Sequence, residues 1–236
     1  MNHLSVGLES RDRVSNAVGG GFPEGSLILL EGGTGTGKSV LSSRFIYGLC
    51  EEGTDVTGVS TEHTAREYVK QMESMSYDVT RHLLKNRLTH FHAPVDGDRP
   101  LIEPLFEPGA LWDGKVLVID GFGDLFRNDP KFGSTLGTGD EDRAMERIMA
   151  KLEAPLAAGK VAIITVNPES MTDRALRPLR GAADVYFDLQ SEAVGQEIRK
   201  KALVRRFAGM KRPVDDTIGF SVQQGRGIVI ESRTIA

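Results

Sequence analysis

A single cysteine, Cys50, occurs in the 236 residues, so no intrachain disulfide can form. That fits a reducing, cytoplasmic setting, with Cys50 read as a buried, inert thiol at the end of a helix. Aromatic residues are scarce, at 6 % with one tryptophan, which leaves little with which to stack single-stranded bases. Positive charge is not in excess either. The formal net charge is −4, so nothing global draws the chain to nucleic acid. No apolar run approaches the ~20 residues that a membrane helix needs, and any membrane association is expected to come through a partner. The start, residues 1–9, has neither the basic n-region nor the apolar h-region of a signal peptide. No internal repeat occurs. The Gly/Pro cluster at 19–25 is a turn too close to the N-terminus to separate two domains, and a single domain over 1–236 is expected.

Hydrophobic residues make up 39 % and charged residues 26 %, enough for a packed core and a solvated surface. The runs Leu27–Leu30, Val116–Ile119 and Val161–Val166 are continuously apolar, which predicts strands buried on both faces, as in a parallel sheet. Weaker strand signals cover Asp55–Ser60, Arg87–His92 and Asp184–Leu189. In 64–75 the apolar positions Ala65, Tyr68, Val69, Met72 and Met75 keep a helical period, and Ser39–Cys50 and Glu141–Leu156 are the other long helix candidates. Alternating strands and helices predict an α/β fold, a mostly parallel twisted sheet flanked by helices. The region 197–231, with its Gly225-Arg226-Gly227 turn, predicts antiparallel strands at one edge. The glycine-rich stretch 133–139 reads as a flexible surface loop.

Gly32-Gly33-Thr34-Gly35-Thr36-Gly37-Lys38-Ser39 matches G-x-x-x-x-G-K-[ST], the Walker A loop, between an apolar strand and a helical pattern. Glycines let the backbone curl so that successive N–H groups face phosphate oxygens, and the following helix adds its positive end. Lys38 is expected on the β- and γ-phosphates of ATP and Ser39 on Mg2+. Residues 32–39, with Val40 next along the helix and Thr165, form the expected nucleotide-binding set. Val116–Ile119 runs into Asp120, which reads as the Walker B carboxylate on the metal side. In a parallel sheet Ser60-Thr61-Glu62 ends on the same side. Glu62 reads either as a general base for the attacking water or as an acidic residue at the start of the next helix. Thr165 and Asn167, at the tip of another strand, either sense the γ-phosphate or cap the turn.

Arg199, Lys200, Lys201, Arg205, Arg206, Lys211 and Arg212 form a basic run with three readings. It is a solvated edge that resists aggregation, a contact in trans to a neighbour's nucleotide with Arg205 or Arg206 as the finger, or a DNA-binding strip. Phe207 is the one aromatic within it, which weakens the last. His90 and His92 share a strand face, but no Cys/His/Asp cluster with ligand spacing accompanies them.

Several strings carry a resemblance. They are Gly7-Leu8-Glu9-Ser10-Arg11-Asp12-Arg13, the cluster 19–26, Arg44–Gly53, Ser60–Thr64, Ala183-Asp184-Val185-Tyr186, Arg205–Met210, Asp216–Val222 and Gly227–Arg233. Together with the Walker A loop and Asp120 they resemble the KaiC/RecA-like P-loop proteins. More closely, and over almost the whole chain, they resemble the FlaH (ArlH) family of archaeal flagellar (archaellum) accessory proteins. The resemblance implies a RecA-like P-loop core that binds ATP with Mg2+. It implies a cytoplasmic component, peripheral at the membrane-bound archaellum motor, that works with the motor ATPase beneath a membrane platform protein. It further implies homo-oligomeric rings, a hexamer among them, and by analogy with KaiC a role in trans for Arg205 and Arg206. Where KaiC-type hydrolytic sites carry two adjacent glutamates, this chain has Thr61-Glu62. Asn167 stands where relatives often have histidine, and Gly121 where a hydroxyl residue is frequent. These departures imply weak or absent hydrolysis. The leading expectation is an ATP-dependent regulatory scaffold of the archaellum motor. The alternatives are a KaiC-like ATPase or autokinase and a RecA/RadA-like DNA-binding ATPase.

Overall fold

Every residue of the strand before the glycine-rich loop, Leu27–Gly32, is buried, and its side chains divide between two cores. Ile28 and Leu30 enter one; Leu27 and Leu29 enter the other. The strands Val116–Asp120 and Val161–Val166 divide in the same way, with Val118 and Ile163 on the first side and Leu117 and Ile164 on the second. This explains why the runs are continuously apolar: successive side chains point to opposite faces, and both faces are covered.

The computed structural model describes residues 2–194 and 197–230. Its strands are β1 (His3–Ser5), β2 (Gly21–Pro23), β3 (Leu27–Gly32), β4 (Val56–Ser60), β5 (Leu88–His92), β6 (Val116–Asp120), β7 (Val161–Val166), β8 (Val185–Val194), β9 (Glu197–Phe207), β10 (Thr217–Gln223) and β11 (Gly227–Ile230). Its α-helices are α1 (Val14–Ala17), α2 (Lys38–Glu51), α3 (Ala65–Ser74), α4 (Thr80–Leu84), α5 (Glu103–Phe106), α6 (Phe122–Asn128), α7 (Pro130–Gly133), α8 (Glu141–Ala157) and α9 (Asp173–Ala182). Nine strands form one sheet in the order β11-β10-β9-β8-β3-β7-β6-β4-β5. From β8 to β5 all neighbours are parallel, and β9, β10 and β11 extend the β8 edge antiparallel. The parallel body and the antiparallel C-terminal edge agree with the sequence reading. Glu231, Ser232 and Arg233, which carry part of the resemblance, lie outside the described residues.

The two halves of the sheet obey different chemistry. In the antiparallel half one face is apolar, through Phe187, Ala202 and Phe220. The other carries ion pairs, Arg205 with Asp188 and Lys201 with Glu192, the alternation expected when one face stays wet.

Helix α2 follows the glycine-rich loop and is seated by an unusual anchor. Arg44 is fully buried. Its guanidinium donates to both oxygens of Asp12, at 2.8 and 2.7 Å, and to the carbonyls of Val6 and Gly7. Gly48, one turn on, leaves room for that segment: a Cβ there would lie 1.9 Å from the Val6 carbonyl oxygen. The next helix, α3, starts with a capping box in which Thr64 and Glu67 satisfy each other's backbone N–H.

Two features differ from the sequence reading. The Gly/Pro cluster at 19–25 contains β2, which pairs with β1 in a small antiparallel sheet; three-residue strands give too short an alternation to read. Helix α9 lacked a signal because Pro178 interrupts its pattern, although Thr172 caps its start. Within the stretch read as a surface loop, residues 134–139 form turns, with Glu141 accepting from the Gly137 N–H at 2.8 Å.

Candidate nucleotide-binding site

The loop between β3 and α2 is built for backbone approach. At Gly32 a Cβ would stand 2.5 Å from the Leu189 carbonyl oxygen, so strand β8 packs against the start of the loop as only glycine permits. Gly37 is the N-cap of α2 with φ +97°, a left-handed conformation that favours glycine, and the Phe220 ring edge lies 3.0 Å from where its Cβ would be. The helix that follows has 14 residues, and its free N–H groups and dipole favour an anion at this end. Lys38 Nζ donates to the Gly33 carbonyl at 2.8 Å, and Thr36 Oγ1 donates to the same oxygen at 2.9 Å. Burial lowers the pKa of Lys38, and the carboxylates of Asp120 and Glu62 oppose that shift.

Three strand ends converge beside the loop. Asp120 ends β6, and its Oδ1 accepts from Ser39 Oγ at 3.1 Å and from Thr165 Oγ1 at 2.6 Å. Thr165 in turn accepts the Gly121 N–H at 2.9 Å. Thr165 is 1 % exposed, so its hydroxyl orients the carboxylate. A hydroxyl and one carboxylate within hydrogen-bonding distance are hard oxygen donors. Among the described residues no group of three or more His, Cys, Asp or Glu could hold a metal. That donor set fits Mg2+, which keeps water and phosphate ligands and takes one or two from protein. Ser39 and Asp120 are the residues that would hold it.

Burial raises the pKa of the Asp120 carboxyl; the hydroxyls of Thr165 and Ser39, then Lys38, pull it back in part. A carboxyl raised in the folded state holds its proton more tightly there than in the unfolded chain. Its contribution is therefore most favourable below the ordinary carboxylate range and is lost as pH rises through the raised value. Asp120→Asn is accordingly expected to raise the melting temperature of the nucleotide-free protein at pH 7. The same variant should bind ATP without the gain that Mg2+ gives the wild type. Calorimetry with and without Mg2+ checks both, and a lower melting temperature would contradict the account.

The cleft has a volume of ≈ 570 Å³, within the range of ~300–1,000 Å³ for small-molecule sites. Of the expected residues, Thr34, Gly35, Gly37, Lys38, Ser39, Val40, Glu62, Asp120, Thr165 and Asn167 line it. Gly32, Gly33 and Thr36 shape the loop behind them. Glu62 is exposed and held at the end of β4 by Ser60, whose hydroxyl accepts the N–H groups of Glu62 and His63. Asn167 caps the turn, its Oδ1 accepting from the Glu169 N–H at 3.1 Å, and its Nδ2 donates to Thr34 at 3.3 Å.

Arg205 and Arg206 are not brought to this cleft. Arg205 is paired with Asp188 at 2.6 Å, and Arg206 donates to the carbonyls of Arg180, Gly181 and Ala183 at 3.0, 3.1 and 2.5 Å. The register explains it. Gly32 lies beside Leu189 on β8, which pairs with Ala202, whereas Arg206 pairs with Tyr186 towards the far end. Lys200 and Val222 line the cleft instead, and sequence reasoning missed them. The available signal was alternation: Lys200 shares a face with buried Ala202, and Val222 with buried Phe220. His90 is a packing residue, its ring stacked on Tyr68 at 4.3 Å and its Nε2 bonded to the His63 carbonyl; burial lowers its pKa.

Comparison with known proteins agrees with this geometry. The family model described as "ATPase: KaiC" matches residues 5–103. The archaeal flagellar ATP-binding protein FlaH of Methanocaldococcus jannaschii is 30 % identical over 96 % of this chain and 95 % of its own length. The crystal structure of flagellar accessory protein FlaH from the same organism superposes with a TM-score of 0.87 at 29 % identity, covering 98 % of this chain and 100 % of that one. A KaiC-like protein from Pyrococcus horikoshii superposes with a TM-score of 0.74 at 23 % identity over 98 % and 99 % of the two chains, a likeness of fold. The sheet and its flanking helices are those of the RecA/KaiC-like α/β fold.

Proposed function

Because this chain belongs to the FlaH family of archaeal flagellar ATP-binding proteins, we propose that it is an ATP-operated regulatory scaffold of the archaellum motor. In this reading the nucleotide state sets its grip on the motor ATPase beneath the membrane platform protein, and so controls archaellum assembly and motility. It works from the cytoplasmic side as a peripheral component; among the described residues no helix is long and apolar enough to cross a membrane.

One observation carries the reading. Lys38 donates to a carbonyl of its own loop, and phosphate oxygens compete for that same ammonium. Binding therefore exchanges one set of loop bonds for another, with Ser39 and Asp120 in the same network. A ligand biases a conformational equilibrium to the extent that it binds one form better, and a loop with two bonded arrangements supplies the two forms. Capture of the archaellum motor ATPase by this protein should depend on Mg-ATP and be lost in Lys38→Ala. Capture that is equal with and without nucleotide would refute the switch.

A second reading, turnover of ATP, has Glu62 in its favour: it lines the cleft and its charge acts on Lys38. Phosphate release that vanishes in Glu62→Gln would support it. In a ring of copies, Arg205 or Arg206 of a neighbour is the group expected to complete such a site, which requires Arg205 to leave Asp188.

A further inference from the structure

Two ammonium groups reach the phosphate loop. Lys38 belongs to it. Lys200 comes from β9 in the antiparallel half of the sheet, and its Nζ donates to the carbonyl of Gly35. Its stem lies along the loop, with Cδ 3.2 Å from the position of a Cβ on Gly37. It lines the same cleft as Lys38, Ser39 and Asp120. Its strand neighbours behave differently: Lys201 pairs with Glu192 and Arg205 with Asp188, both on the opposite, wet face. Lys200 is turned inward, beside Phe220 of β10.

From this we infer that Lys200 is a second phosphate-binding cation of the site, supplied in cis by the C-terminal strands. The inference rests on the nucleotide-binding reading above and concerns how that site is wired. A phosphate oxygen is a stronger acceptor for an ammonium than a neutral carbonyl, because the bond is charge-assisted on both sides. Lysine's flexible four-carbon stem lets Nζ pass from one to the other while Cδ stays against the loop. The exchange links phosphate occupancy to β9 and β10. On the Lys200 face of β9 stands Ile198, 69 % exposed, and on the Phe220 face of β10 stands Val222, 38 % exposed. Val222 itself lines the cleft, so the exchange reaches the tips of both strands.

The test is titration calorimetry of the full chain with Mg-ATP and with inorganic tripolyphosphate, comparing wild type, Lys200→Met and Lys200→Arg. Methionine keeps the stem over Gly37 and removes the charge. Lys200→Met is expected to bind both ligands about tenfold more weakly, ~1.4 kcal/mol, with a shallower loss of affinity as salt rises, and with its melting temperature unchanged. Lys200→Arg should recover most of the affinity. Wild-type affinity in Lys200→Met, tighter binding, or weaker binding with an unaltered salt response would each overturn the inference, the last two marking a loop brace. Wild-type protein that binds neither ligand would overturn this inference together with the switch. Wild-type binding matched by Lys200→Met overturns this inference alone.

Discussion

Lys38→Ala is expected to bind Mg-ATP at least a hundredfold more weakly than the wild type, while melting within about 3 °C of it. Hydrogen bonds to charged groups contribute ~1.5–3 kcal/mol each, and an ammonium placed between β- and γ-phosphates makes two. Their loss amounts to ~3–6 kcal/mol, or about 10²–10⁴ in affinity. Folding should hardly notice. The pKa of Lys38 is lowered chiefly by burial, so holding the ammonium there is a cost to the folded state at every pH below the shifted value. Alanine removes that cost along with the bond to Gly33, and the two offset. Calorimetric titration and a thermal melt on one preparation decide it. ATP affinity within threefold of wild type would remove Lys38 from the phosphates.

The largest effect on stability is expected at Asp12. Its pair with Arg44 is inaccessible on both sides, with side chains 1 % and 0 % exposed. Asp12→Ala leaves a guanidinium in the core with only the Val6 and Gly7 carbonyls as acceptors. Removing one partner of a buried pair typically costs ~3–5 kcal/mol, whereas exchanging both for apolar groups is often neutral. In a domain of this size ~1 kcal/mol moves the melting temperature by about 2–4 °C. The single variant should therefore melt about 10 °C or more below wild type, and Asp12→Ala/Arg44→Met should regain most of the difference. A drop under 3 °C in scanning calorimetry, or no recovery in the double variant, would mean that the pair does not hold α2 in place.

The phosphate loop, its strand and its helix were readable because each is local: one stretch of eight residues carries the glycines, the lysine and the hydroxyl. The double-sided burial of β3, β6 and β7 was readable because continuous apolar runs leave a trace in sequence. Asp120 was legible for the same reason, as a carboxylate ending such a run. Lys200 and Val222 were not, since alternation gives only the face each shares, and their place at the cleft depends on the registers of β8 with β9 and of β9 with β10. The basic run looked uniform in sequence. The pleat sorts it, sending Lys200 to the loop and Lys201 and Arg205 to carboxylates on the other face. Arg44 was hidden by its own identity: arginine in a helix reads as surface, and only the buried Asp12 makes an interior position tolerable.

The position of β3 bears on how the chain is made. Leu27 pairs with Ala162 and Ile28 with Val185, so both neighbours of the loop-bearing strand come from far downstream. On a ribosome adding ~5–20 residues per second, β3 and the glycine loop wait on the order of ten seconds for the strands that flank them. Pairings this distant in sequence are slow to close. The loop therefore has no complete seat until β7 and β8, more than a hundred residues further on, have been made.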